Sequence, residues 1–227
     1  MIGSALAAPP LIVPAYFHPD VRPGDWSALM AHAGQVRMVV LNVASGPGER
    51  PNVAFAAVVD ALRAAGICVA GYVDTDYGAR PVRDVLADVI RHRDWYGDDA
   101  VFCDRVASST DRLGHYAALA GEARDLGMST IAFNHGADPA PAYLEYADLL
   151  GAFEGPWPAY VELMIPRWAR EQDTGRLFHL VHSVPPELIS TAWDLAAQRN
   201  LGCVYITTES GINPWHRLSI GTERSTW

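Results

Sequence analysis

The sequence predicts an α/β chain folded as a compact (β/α)8 TIM barrel with a reduced sixth and eighth helix. Three observations carry this. Eight short apolar runs rich in β-branched residues recur along the 227 residues, most segments between them have helical spacing, and no glycine-rich turn follows the first run. Continuous apolar runs of strand length suit strands covered on both faces, as in a parallel sheet. Strand–helix alternation along a whole chain implies parallel strands joined by right-handed crossovers, and eight such units close as a barrel. A doubly wound open sheet would want GxGxxG after its first strand, where this chain has His18–Pro19–Asp20.

The elements follow in order. The first run is Leu11–Phe17, and a helix fits over Asp25–Ala33 before the second run, Val36–Val43. The next helix, Asn52–Ala65, has Asn52 as its cap and Gly66 at its stop. After the third run, Ile67–Val73, Pro81 opens a helix over Val82–Arg93, whose stripe is Val82, Val85, Leu86, Val89 and Ile90. The fourth run, Ala100–Asp104, leads to a helix over Asp111–Leu126, which Gly127 ends. The fifth, Ser129–Asn134, leads to a shorter candidate over Asp138–Ala147. Behind the sixth, Asp148–Phe153, the prolines Pro156, Pro158 and Pro166 break or shorten the helix. The seventh, Leu177–His182, precedes a helix over Pro186–Arg199, and about twenty residues follow the eighth, Gly202–Thr207, so the last helix is short or missing. Residues 1–10 are expected to be a flexible segment and residues 11–227 one barrel domain.

Composition narrows the partners. Lys plus Arg number 17 against 26 Asp plus Glu, for a formal net charge of −9, and no local basic run exists. A nucleic acid or an anionic membrane surface is therefore not an expected partner. No window approaches a membrane-spanning apolar length. Met1–Pro10 has no basic n-region, so the expected location is cytoplasmic, or secreted if a leader has been removed. Cys68, Cys103 and Cys203 sit in apolar runs without CxxC spacing and read as buried thiols. His18, His135 and His182 reach the strand ends, but no HxH or HExxH spacing exists. No metal or other cofactor is expected. GxSxG is absent, and the His182–Ser183 pair has no nucleophile elbow.

Chemistry in a parallel barrel gathers where strands run into their following loops. Those exits carry Tyr16 and His18, Asn42 and Ser45, Tyr72 through Tyr77, Asp104–Arg105, Asn134–His135, Glu154, His182 and Glu209. A polar rim at the same end of eight apolar strands is hard to explain by folding alone. Asp104 and Glu154 each follow a very apolar run, and two carboxylates across a polar cleft are the minimum needed to hydrolyse a glycosidic bond. Either one could instead be structural, Asp104 paired with Arg105, and Glu154 capping a helix or paired with Arg167. Asp74 could bind a sugar hydroxyl, and Asp76 could equally form an Asx-type turn into Gly78. Trp95, Trp157, Trp215, Tyr16, Tyr72 and Tyr77 are candidate stacking platforms, Trp157 and Tyr77 foremost.

Read together, PAYFHP (Pro14–Pro19), LNVASGPG (Leu41–Gly48), GYVDTDYGAR (Gly71–Arg80), DWYGDDAVFCD (Asp94–Asp104), FNHG (Phe133–Gly136), ADLLGAFEG (Ala147–Gly155) and YITTESGINPW (Tyr205–Trp215) resemble the spherulin-4-like family of glycoside hydrolases. The resemblance implies a (β/α)8 barrel and an endo-acting hydrolase of an amino-sugar polysaccharide, with galactosaminogalactan the family's substrate class. It makes Asp104 and Glu154 the catalytic acids. Tyr16, Asn42, Tyr72, Asp74, Tyr77, Arg105, Asn134, Trp157 and Glu209 are then the expected substrate-binding residues. The family's fourth strand ends in Asp-Glu, whereas Arg105 follows Asp104 here, and Val43 stands where the family commonly has Pro. A cation at position 105 is expected to hold Asp104 ionised. Three readings follow: a hydrolase using Asp104 and Glu154, a carbohydrate-binding relative disarmed by Arg105, or a barrel enzyme whose Arg105 holds an anionic group.

Overall fold

The computed structural model describes residues 8–171, 174–199 and 201–219. Eight strands form a closed barrel in sequence order, and every pairing is parallel. They are β1 (Leu11–Ala15), β2 (Val36–Leu41), β3 (Cys68–Asp74), β4 (Ala100–Asp104), β5 (Thr130–Asn134), β6 (Leu149–Pro156), β7 (Leu177–His182) and β8 (Cys203–Ile206). The long helices are α1 (Pro23–Ala31), α2 (Val53–Ala64), α3 (Val82–Tyr96), α4 (Leu113–Asp125) and, numbered ahead of its turn, α7 (Ile189–Gln198). Asn52 caps α2 as expected, its side chain accepting from Ala54 N at 3.0 Å. The proline-rich segment after β6 makes only α5 (Trp157–Glu162) and α6 (Arg167–Glu171). No helix follows β8 among the described residues.

Continuous burial explains the continuous hydrophobicity, since β1, β2, β4 and β8 have almost every residue out of solvent. Side chains alternate along a strand, so Phe102 points to the same side as Asp104, into the barrel. Phe102 stacks on Tyr72 at 6.4 Å between ring centres and meets Phe178 at 5.8 Å, an aromatic floor beneath the rim. The buried ring of His92 lies against β3, its Nε2 2.9 Å from the Tyr72 carbonyl and its Nδ1 3.1 Å from Asp98. Only glycine fits at position 71, because a Cβ there would strike His92.

Four expectations need correction. Asp138–Ala147 holds a 3-10 turn over Pro141–Glu145 in place of an α-helix. β6 runs on to Pro156, so Glu154 belongs to the strand, just past a register shift between Gly151 and Phe153. Such a bulge re-aims the side chains beyond it. Residues 1–7 of the segment expected to be flexible lie outside the described residues. Pro9 is buried, and the Pro10 carbonyl accepts from Val204 N at 2.9 Å, so order begins before Leu11. Cys103 and Cys203 are buried as expected, whereas Cys68 is partly exposed. No helix among the described residues is long and apolar enough to cross a membrane.

Candidate active site

Asp104 ends β4, Asn134 ends β5 and Glu154 lies on β6, so three adjacent strands bring three polar side chains together. The Asn134 Nδ2 donates to Asp104 Oδ1 at 2.8 Å and to Glu154 Oε2 at 2.6 Å. Its Oδ1 accepts from Gly136 N at 3.2 Å, which turns both amide hydrogens towards the acids. The other oxygen of each acid is also engaged. Asp104 Oδ2 accepts from the Tyr72 hydroxyl at 2.8 Å, and Glu154 Oε1 from the Trp215 indole at 3.3 Å. All four carboxyl oxygens of the pair thus accept a hydrogen bond.

The two acids differ in environment. Burial and then the charge of Asp104 push the Glu154 carboxyl up to about 7, against the pull of the Asn134 and Trp215 hydrogen bonds. Burial also holds the phenols of Tyr16 and Tyr72 well above their ordinary range, and Asp104 adds to this, so both remain O–H donors at neutral pH. Tyr16 packs edge-on against Tyr72 at 5.5 Å. A buried carboxyl raised into the neutral range can hold or release a proton there, which is what acid–base chemistry beside a second acid requires.

Two cavities open on this pair. One of about 460 Å³ is lined by Tyr16, Asn42, Ser45, Tyr72, Asn213 and Trp215, and one of about 630 Å³ by Tyr77, Arg105, Ser108, Asn134, His135 and His182. Both reach Asp104 and Glu154. Burial drives the His135 ring down to about 4, so it is neutral at physiological pH.

Sequence reasoning therefore brings Tyr16, Asn42, Tyr72, Tyr77, Asp104, Arg105, Asn134 and Glu154 to one rim. Three expected binding residues line neither cavity. Trp157 is 8% exposed and packs on Tyr160, because α5 turns its ring inward. Glu209 pairs with His216 at 3.2 Å and Arg217 at 3.6 Å. Asp74 accepts from Arg105 at 2.8 Å through Oδ2 and from Asp76 N at 2.8 Å through Oδ1, so the Asx-type turn belongs to Asp74. Arg105 also departs from expectation. Its guanidinium faces Asp74, Asp76 and the Tyr77 ring, not Asp104. The supposed Arg167–Glu154 pair is replaced by Arg167–Glu171 at 2.6 Å.

The hydrogen bond from Trp215 to Glu154 was not legible in the sequence. Its ring reaches the acid through a turn in which Asn213 Oδ1 accepts from Trp215 N at 3.0 Å, and only the Asn-Pro-Trp string signals that turn. Among the described residues, no cluster of three or more His, Cys, Asp or Glu side chains could hold a metal ion.

Fold and site together define a (β/α)8 barrel with a two-carboxylate centre at the carboxyl ends of its strands. The model of the spherulation-specific family 4, Spherulin4, matches residues 10–224. The chain belongs to that family. It is 31% identical to Spherulin-4 of Physarum polycephalum over 147 residues, which is 63% of this chain but only 44% of that protein. The match thus spans less than half the length of that relative. The crystal structure of Aspergillus clavatus Sph3 in complex with GalNAc is similar with a TM-score of 0.79, at 21% identity and 92% coverage of both chains. The Bacillus cereus spore cortex-lytic enzyme SleL is similar with a TM-score of 0.57, at 9% identity, over 88% of this chain and 71% of that one.

Proposed function

We propose that the protein is a glycoside hydrolase acting on a polysaccharide of galactosamine or N-acetylgalactosamine type. The observation that carries this is the Asn134 amide held between the carboxyl groups of Asp104 and Glu154, the latter raised into the neutral range. The bridged oxygens are no farther apart than those two bonds laid end to end. That limit lies below the roughly 6.5 to 9.5 Å between carboxyl groups that leaves room for the attacking water of an inverting reaction, which supports a retaining, double-displacement one.

Asp104 attacks the anomeric carbon while protonated Glu154 gives its proton to the departing glycosidic oxygen. The C–O bond breaks as the glycosyl–Asp104 ester forms. Glu154, now a carboxylate, then takes a proton from water. The water oxygen displaces Asp104 and restores both groups. Tyr72 steadies Asp104, and Tyr16 with Asn42 lines the sugar pocket beside it.

The GalNAc held by Sph3 and the family resemblance support the amino-sugar class. Arg105, turned to Asp74 and Asp76, leaves the acid pair free, which favours turnover over the reading of a disarmed sugar-binding relative. Reducing-end release from a panel of hexosamine-containing polysaccharides tests the proposal. Turnover by wild type that disappears in Glu154→Gln and Asp104→Asn, with unchanged circular dichroism, is the expected result. Binding of one polymer without turnover would establish the sugar-binding alternative.

A further inference from the structure

The non-glycine residues with positive φ among the described residues are Ser45, Asp76, Tyr77, Arg105 and Ser183, all at strand exits on the rim. Three of them touch. Tyr77 sits at φ 53° and ψ 32°, after Asp76 at φ 47° and beside Arg105 at φ 53°. Left-handed backbone is costly for a bulky side chain and persists only where the surroundings impose it. Here the imposing contacts centre on Arg105. Its carbonyl accepts from Tyr77 N at 2.7 Å, its Nη1 donates to Asp74 Oδ2 at 2.8 Å, and its Nη2 pairs with Asp76. Its guanidinium carbon stands 5.1 Å from the centre of the Tyr77 ring. The buried Thr75 hydroxyl, 2.9 Å from the Asp104 carbonyl and 2.8 Å from that of Arg105, ties the same two loops together.

Both terminal nitrogens of Arg105 are thus committed to carboxylates, and an anionic ligand would meet Asp74 and Asp76 there as repulsive neighbours. The guanidinium covers one face of the aromatic ring, and more than half of the residue stays exposed. Tyr77 is 55% exposed and lines the larger cavity, across the acid pair from Tyr16 and Trp215.

We infer that Arg105 is a positioning residue. It fixes the Tyr77 ring as the stacking platform for a second, uncharged or cationic sugar unit, on the other side of the scissile bond from the unit beside Tyr16 and Trp215. The inference rests on the glycosidase reading. A ring already fixed in orientation loses no rotamer freedom when a sugar stacks on it, so the clamp acts on affinity.

The test is steady-state kinetics on hexosamine oligosaccharides of increasing length, with wild type, Arg105→Met, Arg105→Lys, Tyr77→Ala and the Arg105→Met/Tyr77→Ala double variant. Once the chain is long enough to fill both cavities, KM is expected to rise about tenfold in Arg105→Met and in Tyr77→Ala. The rise in KM exceeds any fall in kcat, and the double variant is no worse than either single one. Lysine keeps the charge but not the fork, so Arg105→Lys falls in between. Because Tyr77 is exposed, Tyr77→Ala reports on the platform even if Arg105→Met folds poorly. A KM rise of equal size at every chain length, or wild-type KM in Tyr77→Ala, would overturn the inference while leaving the hydrolase reading standing. A wild type inactive on every oligosaccharide would overturn both.

Discussion

The Asn134 amide nitrogen lies 2.6 Å from Oε2 of Glu154, and this contact sets the working range of the site. The hydrogen bond pulls the Glu154 carboxyl down, against burial and the charge of Asp104, to about 7. Without it the carboxyl would titrate higher still.

Asn134→Ala is accordingly expected to move the basic limb of the pH–rate profile upward, because Glu154 keeps its proton to higher pH. The same change releases Asp104 Oδ1, so kcat falls by about a hundredfold. A profile whose basic limb moves downward would mean that Asn134 does not act through Glu154.

In wild type the basic limb of kcat/KM should lie near pH 7, where Glu154 would lose the proton that the proposed reaction needs. Glu154→Gln and Asp104→Asn should each lower kcat by at least about a thousandfold. Quenched-flow or end-point assay of released reducing ends measures both effects.

Stability carries the same titration with a definite sign. Glu154 is raised from its ordinary 4.5 to about 7, so between those values the folded state holds a proton that the unfolded state has released. The stability this contributes is fully present below pH 4.5 and lost as pH rises through 7. Glu154→Gln, which cannot ionise, is therefore expected to melt higher than wild type at pH 8, by about 1–3 kcal/mol, with the advantage shrinking towards pH 4. Thermal melts across that range measure it.

Gly151→Ala should lower turnover about as far as Asn134→Ala does, roughly a hundredfold, without touching either acid. A Cβ at position 151 would lie 2.6 Å from Phe178 Cζ and would also strike the Asn134 side chain. Asn134 would have to leave the bridge. A reduced kcat with binding of substrate retained is the expected outcome, read by comparing kcat with affinity.

Much of this was legible in the sequence, for physical reasons that differ by element. Strands buried on both faces must be apolar throughout, which makes Ala100–Asp104 and Leu177–His182 visible to the residue. Asn52 and Gly66 mark the α2 ends because unpaired helix termini demand special residues. The same reading places Asp104, Asn134 and Glu154 on one rim, since strand ends in a parallel barrel all face one way. Side-chain direction is what it missed. Nothing local says that Trp157 turns inward, that Arg105 bends away from its own neighbour Asp104, or that a β6 bulge precedes Glu154. The turn of Arg105 depends on Asp76, 29 residues earlier, and the bulge on pairing with β7, partners that no local pattern announces.

The seam of the barrel gives the Trp215 contact a temporal meaning. β8 meets β1 at a single registered pair, Leu11 with Val204, and the stretch after β8 stands where an eighth helix would close the ring. Leu218 N donates to Asp25 of α1 at 3.1 Å, and Ser219 N to the Tyr205 hydroxyl at 2.7 Å. The same stretch carries the indole that completes the surroundings of Glu154. During synthesis Asp104, Asn134 and Glu154 leave the ribosome long before Trp215, so a nascent chain holds both acids yet lacks the indole that hydrogen-bonds Glu154. If the proposed reaction holds, the stretch that fills the seam of the ring is also the one that supplies the last hydrogen bond to its acid.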